Sequence, residues 1–292
     1  MRSDQATSDD AMIPTDRYGS VVAAAGCGKT EQIVLTTKGY AGCRLILTHT
    51  HSGVDALRRR FKEHKVGAKA YRIETIAGWC LRYTSSFPQR AGRKVAEPSD
   101  DASWQAVYAA TVRLIESGAV DRVLPASYCG VFVDEYQDCT EEQHAAIKAL
   151  SRLLPICVFG DHMQAIFDFK GQRPVDWTTQ VFATFPKAAS LLKPWRWHKV
   201  GNSDMADWLR NVRDRLELGQ SLDFATLPGC VEWKWLPDSP GPRSGTVIGI
   251  CKSVMSRDGR LVVIADPTNL EGRAAIARGL AKQRFSGSVA IA

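Results

Sequence analysis

Four short apolar runs, Val21–Ala25, Arg44–Thr48, Val131–Asp134 and Ile156–Gly160, are rich in Val, Ile, Leu and Phe and break off into polar turns. Their length and branched composition predict strands. Between and after them, "EQIVLTTK", "VDALRRRFKEH" and "EEQHAAIKALSRLL" repeat their apolar positions at helical spacing. Strands alternating with helices predict an α/β fold, a parallel sheet covered by helices on both faces. Residues 85–125 read as an insertion of a loop followed by the helical "WQAVYAATVRLIESG". The Pro, Gly and Ser density of "PDSPGPRS", from Pro237 to Ser244, marks a boundary. Beyond it, "GTVIGICKSVMS", "RLVVIAD", "LEGRAAIARGLAKQ" and "GSVAIA" predict helix, strand, helix and strand, the start of a further α/β unit.

At 292 residues and 45% hydrophobic composition, the chain can bury one large or two smaller cores. No apolar run reaches the ~20 residues of a membrane span, and "MRSDQATSDDAM" lacks the apolar core of a signal peptide. A cytoplasmic protein with no membrane partner is the expectation. Eight cysteines without a C-x-x-C pair predict thiols rather than a disulfide framework, and no structural metal. The net charge of +7 favours a polyanionic partner without requiring one.

The run Ala23 to Thr30 reads A-x-x-x-x-G-K-T between a predicted strand and a predicted helix. That is a phosphate-loop arrangement, with Ala23 in the first glycine position. Small residues (Ala25, Gly26, Cys27, Gly28) let backbone N–H groups approach a phosphate, and the helix start adds its positive dipole end. Lys29 would reach β/γ oxygens and the Thr30 hydroxyl would ligate Mg²⁺. The alternative is a chance Gly-rich turn. A second acidic group is needed for chemistry, and "GVFVDEYQD" places Asp134 and Glu135 at a strand end. Asp134 would hold Mg²⁺ and Glu135 would activate water; a helix-capping pair is the simpler alternative.

"AAAGCGKT", "LTHTHSGVDALRRRF", "ETIAGWCLRY", "VFVDEYQD", "VFGDHMQAIFDFKG" and "LKPWRW" occur in an order that resembles superfamily 1 DNA helicases of the UvrD/Rep type. The resemblance runs from about Val21 to Arg196. It implies a RecA-like phosphate-loop NTPase fold, ATP and Mg²⁺ as cofactors, and single-stranded or partly double-stranded DNA as partner. The implied activity is DNA-dependent ATP hydrolysis coupled to translocation or unwinding. Gln164 matches the glutamine that senses the γ-phosphate, with Asp161 in the same loop. Arg196 matches the arginine that contacts the γ-phosphate, and Trp195 stands where a tyrosine stacks on adenine; for the tryptophans alone, core packing is the alternative. Gln137 matches a relay position.

For DNA, Phe169 matches the aromatic that stacks on a base, and Phe167 is its neighbour. His49 replaces the usual Phe, His51 an Asn and Ala77 a His, while Trp79 matches an aromatic. Arg60, within "LRRRFKEHK", would neutralise backbone phosphate; a solvated helix face with Leu57 and Phe61 inward is the equal alternative. The domain expectation is a polar tail over 1–16, a first RecA-like ATPase domain over 17–236 and the beginning of a second over 237–292. The chain ends at Ala292 before the closing helicase motifs. The resemblance therefore also implies a regulatory alternative: an ATP- and DNA-binding subunit that controls a partner such as a nuclease, by analogy with compact relatives in anti-phage defence.

Overall fold

The computed structural model describes residues 19–92, 97–165, 173–258, 261–264 and 269–281. The chain divides into two units, residues 1–218 and 219–292.

The first unit runs β1 (Gly19–Ala23), α1 (Lys29–Gly39), β2 (Arg44–Thr48), α2 (His51–Glu63), β3 (Tyr71–Thr75), α3 (Ile76–Ser86), α4 (Pro88–Ala91), α5 (Asp101–Glu116) and α6 (Val123–Ser127). It continues with β4 (Gly130–Val133), α7 (Glu141–Leu150), β5 (Ile156–Gly160), α8 (Phe182–Thr184), β6 (Lys187–Leu191), α9 (Trp195–His198) and α10 (Ser203–Glu217). The six strands form one sheet in the order β3-β2-β4-β5-β1-β6. Every pairing is parallel, with Val21 opposite Phe159, Ile46 opposite Phe132 and Phe132 opposite Cys157. This is the helix-flanked, all-parallel sheet expected of the α/β fold.

Alternation along the strands divides the core between the two faces. Val22, Leu45, Leu47, Val131, Val133, Ile156 and Val158 pack with Trp79, Tyr108, Leu114 and Ile147. The intervening Val21, Ile46, Phe132, Cys157 and Phe159 pack with Ile33, Val34, Leu57 and Phe61 on the other side. Strands buried on both faces read as continuous apolar runs, which is why β1, β2, β4 and β5 are visible in the sequence. β6, "KAASL", is small and partly exposed, and β3, "YRIET", alternates with charged residues. Both are edge strands and neither is anticipated.

The segment read as an insertion is built into this core. α5 starts from Asp100, whose carboxylate accepts the Ser103 amide at 2.8 Å while the Ser103 hydroxyl accepts the Asp100 amide. It buries Val107, Ala110 and Leu114 and packs against α3 and α7.

In the second unit, α11 (Pro240–Asp258) packs with α12 (Leu270–Ala281). The strand expected over 260–266 is not formed at its described residues 261–264, where Val262 and Ile264 are exposed. An apolar run becomes a strand only when a partner strand takes up its backbone groups, and none pairs with it among the described residues. The expected final strand, and the tail over 1–16, lie outside the described residues. Among the described residues no helix is long and apolar enough to cross a membrane.

Candidate functional site

Because every strand runs the same way, the segments that follow β1, β4, β5 and β6 leave from one edge of the sheet, and this is the edge where α/β sheets bind ligands. The sequence motifs sit in those four segments.

After β1 the chain turns through Gly26 and Gly28, with φ of 80° and 90°, and α1 begins at Lys29. Only glycine takes these conformations without strain. A Cβ on Gly26 would also lie 2.8 Å from the Cβ of Arg196, so that position has no space for a side chain. Ala25 is exposed, Gly28 and Thr30 are partly exposed, and Cys27 and Lys29 are buried. Lys29 Nζ donates to the Ala23 carbonyl at 3.3 Å and lies 3.1 Å from Glu135 Oε2.

β4 delivers the acidic pair. Asp134 is buried, and its Oδ1 accepts the Glu135 amide at 3.0 Å. Glu135 has the left-handed φ of 53°, unusual outside glycine, and this bend turns its carboxylate toward Lys29. Burial pushes the Asp134 pKa up to about 7; Glu135 acts in the same direction and Lys29 against it. Burial likewise raises Asp138 to about 6, again reinforced by Glu135. A carboxylate held under such a penalty is suited to a divalent cation, whose charge would relieve it. Among the described residues no group of three or more His, Cys, Asp or Glu could hold a metal ion unaided. Asp134, buried at the end of β4, therefore fits a cation that takes its remaining ligands from hydroxyl, phosphate and water oxygens, the usual habit of Mg²⁺.

The turn after β5 joins this centre through amides. Gln137 donates from Nε2 to Glu135 Oε2 at 2.8 Å, and its Oε1 accepts the Asp161 amide at 3.0 Å. Gln164 donates to Asp161 Oδ2 at 2.8 Å. The Gln137 bridge depends on Gly160, where a Cβ would lie 2.8 Å from Gln137 Oε1 and 2.6 Å from Trp177. After β6, the Arg196 amide donates to the Gly26 carbonyl at 3.2 Å, and Trp195 lies beside Gly28. Lys193 Nζ sits 3.7 Å from the centre of the Trp195 ring. Trp195 is thus partly exposed at the rim of the loop rather than in the core.

The structure does not bring every sequence candidate to this edge. Trp79 is 1% exposed, packs on Tyr83 and belongs to the core between the sheet and α5. Its expected contact with a base is corrected: the ring has no open face. Arg60 is exposed but bridges Glu63 at 3.1 Å and Glu31 at 3.6 Å, while Leu57 and Phe61 turn inward. That is the solvated-face alternative. His49 lies 3.3 Å from the Cys139 thiol and lines a cavity of about 200 Å³ with Trp104, Gln105 and Gln143. Burial lowers its pKa to about 4, against the pull of Glu135, so it is neutral at pH 7. Phe167 and Phe169 lie outside the described residues.

Residues 101–176 match the UvrD/REP helicase N-terminal domain. Over that segment the chain is similar to the UvrD/Rep helicases. The matched segment contains Asp134, Glu135, Gln137, Asp161 and Gln164, whereas Lys29 and Arg196 lie outside it. A search of curated proteins found no match. Among solved structures the chain is similar to arterivirus nonstructural protein 10, a helicase in complex with DNA, at 12% identity and a TM-score of 0.34 over 59% of this chain. It spans 35% of that protein's length.

Arg213 is the residue at this site that the sequence reading missed. Its guanidinium pairs with Asp161 from α10, 52 residues further along the chain, and nothing local in the sequence announces that pairing.

Proposed function

We propose that this chain is a DNA-dependent ATPase of the UvrD-like helicase type, with ATP and Mg²⁺ held in the cradle formed by Ala25, Gly26, Cys27, Gly28, Lys29 and Thr30. The observation that carries the reading is the convergence at one sheet edge of a Gly-lined loop, Lys29 paired with Glu135 at 3.1 Å, and a buried Asp134. When bound, the nucleotide and its metal supply the phosphoanhydride to be broken and the Lewis acid on its oxygens. Lys29 exchanges its Glu135 partner for phosphate oxygens. Glu135, released from that pair and still held by Gln137, accepts the proton of the attacking water. Thr30 and Asp134 would hold the metal. Gln164 reports the terminal phosphate, Arg196 offsets charge there, and the Trp195 ring stacks on the base. Phe169 and Phe167 are the aromatics assigned to stacking on single-stranded DNA.

The test is steady-state ATP hydrolysis with and without single-stranded DNA, with Lys29→Ala as control. DNA-stimulated turnover that disappears in the variant supports the reading. Nucleotide binding without turnover at any DNA concentration would sink it in favour of a regulatory subunit.

A further inference from the structure

Asp161 is almost completely enclosed, with 2% of its side chain exposed, and Arg213 reaches it from α10 at 19% exposure. The contact is two-pronged: Nη1 donates to Oδ2 at 2.8 Å and Nη2 to Oδ1 at 2.7 Å. Arg213 Nε lies 2.9 Å from Glu217 Oε1, so a second carboxylate one helical turn on holds the fork in orientation. Burial opposes the charge on Asp161, but Arg213, together with the Met163 amide and Gln164, outweighs it and holds the carboxyl below its usual range. Asp161 then distributes this constraint. Its Oδ2 accepts Gln164 at 2.8 Å, its Oδ1 accepts the Met163 amide at 3.2 Å, and its own amide donates to Gln137 at 3.0 Å. Gln137 in turn donates to Glu135 at 2.8 Å, and Glu135 meets Lys29 at 3.1 Å. The chain of contacts from α10 to the acidic pair is unbroken.

We propose that Arg213 is a positioning residue of the ATPase site, orienting Glu135 and Gln164 through Asp161 and Gln137. The inference rests on the reading of that site as an ATPase. A fork that bonds both carboxylate oxygens fixes the direction of Asp161 as well as its charge, and only arginine can do this; lysine supplies the charge as a single point. Without the fork, the buried carboxylate keeps only the Met163 amide and the Gln164 side chain to orient it. Gln137 and Gln164 lose their common reference, and the proton acceptor drifts from the line of attack.

Arg213→Lys and Arg213→Gln are compared in the full chain. Amide hydrogen exchange is read first, without nucleotide. Arg213→Gln is expected to speed exchange across Tyr136–Asp138 and Asp161–Gln164 and to leave β3 unchanged. Faster exchange confined to α10 would mean a local helix anchor and would overturn the proposal. In turnover, Arg213→Lys is expected to lower kcat by about 10- to 100-fold with KM for ATP within about threefold. In a Gln137→Ala background the same substitution should cost under about threefold, since that background already lacks the link from Asp161 to Glu135. Equal losses of kcat in the two backgrounds would overturn the proposal. A wild-type chain that does not hydrolyse ATP defeats the ATPase reading instead, and the nucleotide-free exchange result still decides the Arg213 linkage.

Discussion

Lys29 Nζ lies 3.1 Å from Glu135 Oε2 and donates to the Ala23 carbonyl at 3.3 Å, so one buried cation ties the ends of β1 and β4 together. Each partner occupies the other in this state. In the proposed reaction the two groups separate before either acts on a phosphate or a water.

Substituting the two partners should have different effects. Lys29→Ala removes the phosphate contact, and binding of a fluorescent ATP analogue should weaken at least about tenfold, the scale of one charge-assisted hydrogen bond. Glu135→Gln keeps the side-chain shape and should bind the analogue as well as wild type, with turnover lower by about 10² to 10⁴. Near-normal turnover in Glu135→Gln would remove it from the role of proton acceptor.

The pH dependence of stability follows from Asp134. Burial raises its folded pKa to about 7, far above an unfolded aspartate, so between about pH 4 and pH 7 the folded state binds more protons than the unfolded one. Stability from this group is thus present at low pH and lost as pH rises through 7. Thermal melts of the nucleotide-free chain should show Asp134→Asn more stable than wild type at pH 7.5, with the difference shrinking toward pH 5. Magnesium with nucleotide should raise the wild-type midpoint most at the higher pH. A difference between the two chains that stays constant with pH would contradict the raised pKa.

Gly160 provides a steric test of the Gln137 bridge. A methyl group there would stand 2.6 Å from Trp177 and 2.8 Å from Gln137 Oε1. Gly160→Ala should destabilise the fold by about 1–3 kcal/mol, the usual range for overpacking. It should also lower turnover beyond the loss of folded protein, measured by active-site titration beside the melt. Full turnover per folded molecule would show that the Gln137 contact is dispensable.

Trp79 separates core from interface. Trp79→Ala empties a buried site and should cost about 3–5 kcal/mol in denaturant unfolding. Trp79→Phe keeps most of the packing and removes an indole Nε1 that has no hydrogen-bond partner among the described residues. This milder variant should bind single-stranded DNA like wild type in fluorescence anisotropy. Weaker binding at unchanged stability would return Trp79 to the interface.

The parts of this protein that the sequence determines are those set by local covalent order. An apolar strand, a Gly-rich turn and a helix start are contiguous from Gly19 to Gly39, so the cradle and the place of Lys29 at the head of α1 are legible at once. The same holds for Asp134 and Glu135, which follow β4 directly. Burial on both faces turns β1, β2, β4 and β5 into apolar runs, and this makes the parallel sheet readable.

Tertiary structure decides what depends on a partner distant in sequence. β3 and β6 become strands because β2 and β1 offer them backbone groups, not because their side chains demand it. Residues 261–264 are apolar without forming one. Trp79 has the composition of a stacking residue, and only the packing of α5 over α3 encloses it. Arg213 reads as one more charge on an amphipathic helix until the fold brings it against an aspartate 52 residues away. Periodicity reports which face of an element is buried. What that face meets is decided by chain topology, and so is the orientation of the acidic centre.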